Sequence, residues 1–214
     1  MSQMYIKALH VQGHSGSPVV NLRCPICRQR GTFGVAATND VAIQDSGDYY
    51  VGGLRRCPDP SCSALIFYVS KNQNLILTYP AERIDFDSTN VPAAVLAALE
   101  EAITCHANQC FVASAIMVRK TLELLCRDRQ AEGSDLKKRI AALGTKVVLP
   151  TELLAGLDDL RLLGNDAAHV ESKEYDQVGK EEVEVGIEFT KEVLKAVYQY
   201  SALLSRLRAL KKAP

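Results

Sequence analysis

Cys24-Pro25-Ile26-Cys27 and Cys57-Pro58-Asp59-Pro60-Ser61-Cys62 are the stretches from which the first part of the fold is read. A tetrahedral metal needs thiolates converging from two turns, and a C-x2-C or C-x4-C knuckle delivers two sulfurs from one tight bend. Pro25 and Pro58, each directly after a cysteine, fix φ near about −65° and help hold the bend. Four thiolates fill a tetrahedral ion and leave no position for a reacting water. The expected cofactor is therefore one structural zinc on Cys24, Cys27, Cys57 and Cys62.

The residues around the knuckles are β-prone. Met4 to Leu9, Tyr49 to Val51 and Leu65 to Val69 read as strands, with Gly52-Gly53 and Asn72-Gln73-Asn74 as turns. Strands flanking two knuckles predict a small β zinc ribbon over residues 1–80. So small a ribbon buries little apolar area, and the metal is expected to supply the missing stability.

After Pro80 the period changes from two to that of a helix. Residues 81–90, with Asp85, Asp87 and Ser88, read as a linker, and 91–214 as a helical bundle. Thr89-Asn90 offers an N-cap for a helix through Pro92 to about Cys105. Phe111, Ala115, Val118, Leu122 and Leu125 form one apolar stripe. Gly133-Ser134-Asp135 breaks the pattern, a short helix runs from Leu136 to Leu143, and Pro150-Thr151 opens another carrying Leu153, Leu157 and Leu160. A long last helix, about Lys180 to Lys211, carries Val193, Val197, Tyr200, Leu204 and Leu207 on one stripe. Its acidic start and basic end match the helix dipole. The predicted class is α+β, mostly α: a ribbon followed by an antiparallel bundle. The last helix outruns its shorter neighbours, so its far end needs a partner, and a homodimer is expected.

No stretch approaches the ~18–20 apolar residues of a membrane span, which predicts a soluble protein. Met1 to His10 lack the charged start and apolar run of a secretory signal. The seven cysteines are then expected to stay reduced in the cytoplasm. A net charge of zero argues against broad, salt-driven nucleic-acid binding. Yet residues 1–80 hold seven Lys/Arg against four Asp/Glu. Arg23, Arg28, Arg30, Arg55 and Arg56 near the knuckles read either as a solvated ribbon surface or as a small nucleic-acid-binding patch.

Arg161-Leu162-Leu163-Gly164-Asn165-Asp166-Ala167-Ala168-His169 stands out in the second half. Gly164 and Asn165 signal a helix end, and Asp166 could restart a helix that carries His169. Arg119 and Glu123, at i and i+4, read as a helix salt bridge. Asp158, Asp159 and Asp166 read as a solvated acidic face, not a metal site. There is no P-loop, G-x-G-x-x-G or nucleophile elbow.

Residues from about Asn90 to Lys211 resemble the domain of unknown function 4145, a helical family placed with the HEPN superfamily. The resemblance rests on Val91 to Ala102, on Ala113 to Glu123 and on Arg161 to His169. It implies a dimerising bundle with the His-bearing turns of two subunits facing one another. Many HEPN members are metal-independent ribonucleases whose motif is an arginine, a polar residue, about three residues and a histidine. Histidine can move the 2′-hydroxyl or leaving-group proton, and arginine can stabilise developing phosphate charge. Asn165 and His169 match that motif, but Gly164 holds the arginine position, leaving Arg161 or Arg119 to substitute. In this reading Arg119, with Glu123, holds the His169 turn as structural support.

Three functions follow. One is a non-catalytic binding module for RNA, a nucleotide or a protein. The second is a ribonuclease using His169, and the third is a protein–protein adaptor. The resemblance also implies a restriction or phage-defence context.

Overall fold

Alternation along residues 48–56 decides which face of the sheet is covered. Val51 and Arg55 point into the core, while Leu54 and Arg56 face out. The computed structural model describes residues 11–14, 20–36, 40–45, 47–168 and 178–211, which fall into two compact units, 1–85 and 86–214. The expected strand at Met4–Leu9 lies outside the described residues, as does His169.

Among the described residues the first unit contains one sheet of seven antiparallel strands: β1 (Val11–His14), β2 (Val20–Arg23), β3 (Arg30–Val35), β4 (Asp40–Asp45), β5 (Asp48–Arg56), β6 (Leu65–Lys71) and β7 (Asn74–Tyr79). β6 runs along one edge of β5, from Tyr50↔Lys71 to Arg56↔Leu65. The other edge is shared: β4 pairs with its first half and β3 with its end, at Gly34↔Arg56 and Val35↔Arg55. Val20, Leu22, Phe33, Ala42, Val51, Ile66 and Tyr68 form the core beside Cys24 and Cys57. The unit is thus larger than the minimal ribbon expected, because β1, β4 and β7 widen it and it has an apolar core of its own.

Gly52-Gly53, expected as a turn, lies inside β5. A Cβ at Gly53 would collide with the Asp40 carboxylate and crowd the Tyr68 ring. The glycine is there for close approach, not for a bend. On the outward face Leu54, Phe67 and Tyr79 stand in one cross-strand row, with Val41, Leu65 and Leu77 also exposed.

The second unit contains six helices among the described residues: α1 (Ala93–Ala107), α2 (Phe111–Asp128), α3 (Leu136–Lys146), α4 (Thr151–Ala168), α5 (Lys180–Leu194) and α6 (Tyr200–Ala209). α2 packs against α1, α3, α4 and α5. Its stripe of Ala115, Val118, Leu122 and Leu125 is buried with Leu99 and Ile103 of α1, Leu157 and Leu163 of α4, and Val183 and Ile187 of α5. None of these helices is long and apolar enough to cross a membrane.

The helix ends depart from expectation in four places. Thr89-Asn90 does not cap α1: the Thr89 amide donates to Asp87 Oδ1 at 2.9 Å, and Asn90 turns at φ 63°. The helix starts later, at Ala93 after Pro92. α3 continues past Leu143 to Lys146, with Gly144 leaving room for Leu154 of α4. α4 runs unbroken through Gly164-Asn165 to Ala168. The long last helix is interrupted by a π turn, Lys195–Gln199. That wider turn buries the successive residues Val197 and Tyr198. It also lets Gln199 Nε2 donate to the carbonyls of Asp87 and Thr89, at 2.8 and 3.2 Å.

Candidate functional site

The two knuckles are the turns of hairpins β2–β3 and β5–β6, whose inner strands β3 and β5 are paired. In the first, the Cys24 amide donates to Gln29 O and the Arg28 amide to Cys24 O, both at 2.9 Å, and Arg28 takes φ 66°. The Ile26 amide points at Cys24 Sγ at 3.4 Å. In the second, the Cys62 amide donates to Asp59 O at 3.1 Å, and Asp59 Oδ1 accepts from the Ser61 amide and hydroxyl.

These turns bring the four sulfurs within 4.8 Å of one another, and the set could hold a metal ion. The Cys24–Cys62 and Cys27–Cys57 sulfur separations are 3.8 and 3.7 Å. That is far beyond the ~2.05 Å of a disulfide. It equals the edge of about 3.8 Å set by ~2.3 Å metal–sulfur bonds to a tetrahedral ion. Burial pushes the Cys57 thiol up to about 12. At Cys24 burial also raises the value, but amides of Cys27 and Ile26 outweigh it and the net shift is downward. A cation bound among the four sulfurs would deprotonate the coordinating thiols outright.

The expected basic patch is smaller than the sequence suggests. Arg55 leaves it altogether: the residue is fully buried, and its Nη1 and Nη2 donate to Asp40 Oδ1 and Oδ2 at 2.8 and 2.6 Å. Nη2 also reaches Tyr68 Oη at 2.8 Å, and Tyr68 donates in turn to Asp40. Burial and the Asp40 carboxylate raise the Tyr68 phenol. Arg55 shares the parity of Val51 in β5, and the pleat turns its guanidinium into the core. Arg28 is exposed but paired with Asp85 at 2.7 Å, which Arg23 joins at 3.4 Å. Arg30 and Arg56 stay exposed.

In the helical unit, α2 and α4 bring Arg119, Arg161 and Asn165 together. Arg119 Nη1 donates to Asn165 Oδ1 at 2.8 Å and to the Arg161 carbonyl at 3.3 Å, while its Nε lies 3.4 Å from Glu123. Arg161 Nε donates to Asp158 at 2.6 Å, one turn back on α4, and that contact holds the Asp158 carboxyl below the usual range. Gly164 sits directly beneath Arg119. A Cβ there would overlap Arg119 Cβ and lie 3.2 Å from Ala115 O. Gly164 is thus a point of close approach between α2 and α4, inside a helix that continues to Ala168.

Sequence reasoning missed the Asp40–Arg55–Tyr68 cluster, although strand parity was a signal for Arg55. It also missed the packing role of Gly164, which no local pattern carries. The family model described as Domain of unknown function (DUF4145) matches residues 100–212, more than half of the chain. No curated protein and no solved structure matches.

Proposed function

The chain belongs to the DUF4145 family, and we propose that it is a zinc-containing, dimeric, HEPN-like interaction module that binds a partner without cleaving RNA. The observation that carries this reading is Gly164 against Arg119. An arginine at 164, where a HEPN nuclease motif would place one, has no room while α2 and α4 pack as they do. The two substitutes are engaged elsewhere, Arg119 by Asn165 and Glu123, Arg161 by Asp158. Stabilising phosphate charge requires donors aimed at where that charge develops, and these are aimed at protein.

Zinc suits a set of four thiolates at tetrahedral spacing. Held by Cys24, Cys27, Cys57 and Cys62, it would cross-link two hairpins and add folding free energy. The small basic surface left by Arg55 and Arg28 favours a protein partner over RNA or a nucleotide. The exposed Leu54, Phe67 and Tyr79 row supports the related adaptor reading. A restriction or phage-defence assembly is the context to search for that partner.

Two measurements test the proposal. Metal analysis of protein purified without added zinc should give about one zinc per chain. RNA incubated with wild type and with His169→Ala, under brief chelation, should remain intact with both. Cleavage by wild type that disappears in His169→Ala would establish a metal-independent ribonuclease instead.

A further inference from the structure

We propose that two copies of the chain associate through a reciprocal exchange, α6 of one protomer lying along the exposed face of α5 of its partner. The inference rests on the dimeric reading above and names its interface. α6 packs on the π turn from which it emerges. Its Tyr200, Leu203, Leu204, Leu207 and Leu210 remain 50–80% exposed. At about 100° per residue these five side chains form one apolar stripe, and Arg206 and Arg208 fall on its opposite margins. So many large apolar groups on one exposed helix mark an interaction surface.

The complement lies on the same rod. An open groove along α5 presents Val185 and Phe189 among Glu181, Glu184, Glu188 and Glu192. Val185 is 63% exposed. Lys191 and Lys195 pair with Glu188 and Glu192, and Lys180 stands at the groove's start, but the glutamates of α5 outnumber its lysines. Residues 200–211 carry Arg206, Arg208 and Lys211 and no acid. An acidic face with apolar spots on α5 therefore complements a helix, α6, that is apolar with basic margins.

The α5 groove and the α6 stripe lie on either side of the π turn Lys195–Gln199, whose wider winding rotates one face against the other by roughly a quarter turn. Two rods laid antiparallel about an axis near the π turn set Leu207 level with Glu188 and Phe189, and Leu210 level with Val185. Each rod then gives and receives the same contact, as a closed two-fold interface requires. The family resemblance would instead have subunits meet at their His-bearing turns.

Light scattering at micromolar concentration tests it. Wild type should be a dimer. Leu203→Asp with Leu207→Asp should be a monomer with unchanged helical content, since both side chains are exposed in the single chain. Arg206→Glu with Arg208→Glu, and separately Glu184→Lys with Glu188→Lys, should each weaken the dimer by about tenfold or more, and mixing the two variants should restore a heterodimer. A monomeric wild type would overturn this interface and the dimeric reading together. A dimer that survives the two aspartates would overturn the interface alone, as would charge variants that do not rescue one another.

Discussion

In the sheet unit Arg55 has no exposed side-chain surface, and its two terminal nitrogens are held by a carboxylate and a phenol from two neighbouring strands. In the helical unit Arg119 keeps a quarter of its side chain in solvent and lies along the seam between α2 and α4. The difference reflects how each unit is held. The sheet has a short apolar core, so four sulfurs and one buried ion pair fix which strands meet. The helices meet along continuous apolar stripes, and Arg119 adds alignment to packing that is already determined. Point contacts are all-or-none, whereas stripes lose strength by degrees.

Metal removal should break the comparison most strongly. Structural zinc in small domains contributes on the order of 10 kcal/mol. A strong chelator, or Cys57→Ser, should therefore unfold the sheet unit while α1–α5 keep their protection in hydrogen exchange. Equal loss of protection in both units would show that they do not stand on separate contacts.

Arg55→Ala comes next. It strands Asp40 in the core, and breaking a buried pair from one side costs about 3–5 kcal/mol. Thermal melting should show the sheet transition falling well below the helical one. Arg119→Ala, at a site a quarter exposed, should move the helical transition much less. A larger effect at Arg119 than at Arg55 would invert the comparison.

Gly164→Ala sharpens it on the helical side. The new methyl meets Arg119 Cβ and the Ala115 carbonyl, so α2 and α4 must part slightly. Overpacking of this kind costs about 1–3 kcal/mol. Denaturant titration should show a reduced midpoint with the sheet unit untouched. A neutral or stabilising result would mean that the helices have slack at this crossing.

The smallest effect concerns His106 in α1. Burial lowers its pKa, with Glu184 at 3.8 Å acting in the opposite direction. The unfolded chain takes up this proton near pH 6.5 and the folded helix resists it until lower pH. The lowered pKa therefore removes no stability above about pH 6.5, and helical stability should decline as pH falls below that point. His106→Gln should flatten the decline between about pH 6.5 and 5 in melting curves. An unchanged slope would assign the acid sensitivity to other groups.

Local pattern carried a good deal of the fold. The knuckles, the strand at Leu65–Val69, the stripe from Phe111 to Leu125 and the breaks at Gly133 and Pro150 were legible because each signal spans only a few residues. Helix boundaries at Asn90, Gly144 and Gly164 were misread for the converse reason. A glycine that makes room for a distant side chain looks the same in sequence as one that ends a helix.

The sequence by itself determined that two cysteine knuckles and a set of amphipathic helices would form, since spacing and period are properties of neighbouring residues. Tertiary structure alone decided that Arg55 turns inward to Asp40, that Gly164 lies under Arg119, and that the stripe begun by Val193 and Val197 is left exposed beyond Tyr200. Each of these depends on which residues meet across the fold, and burial is settled only when both sides of a contact are in place.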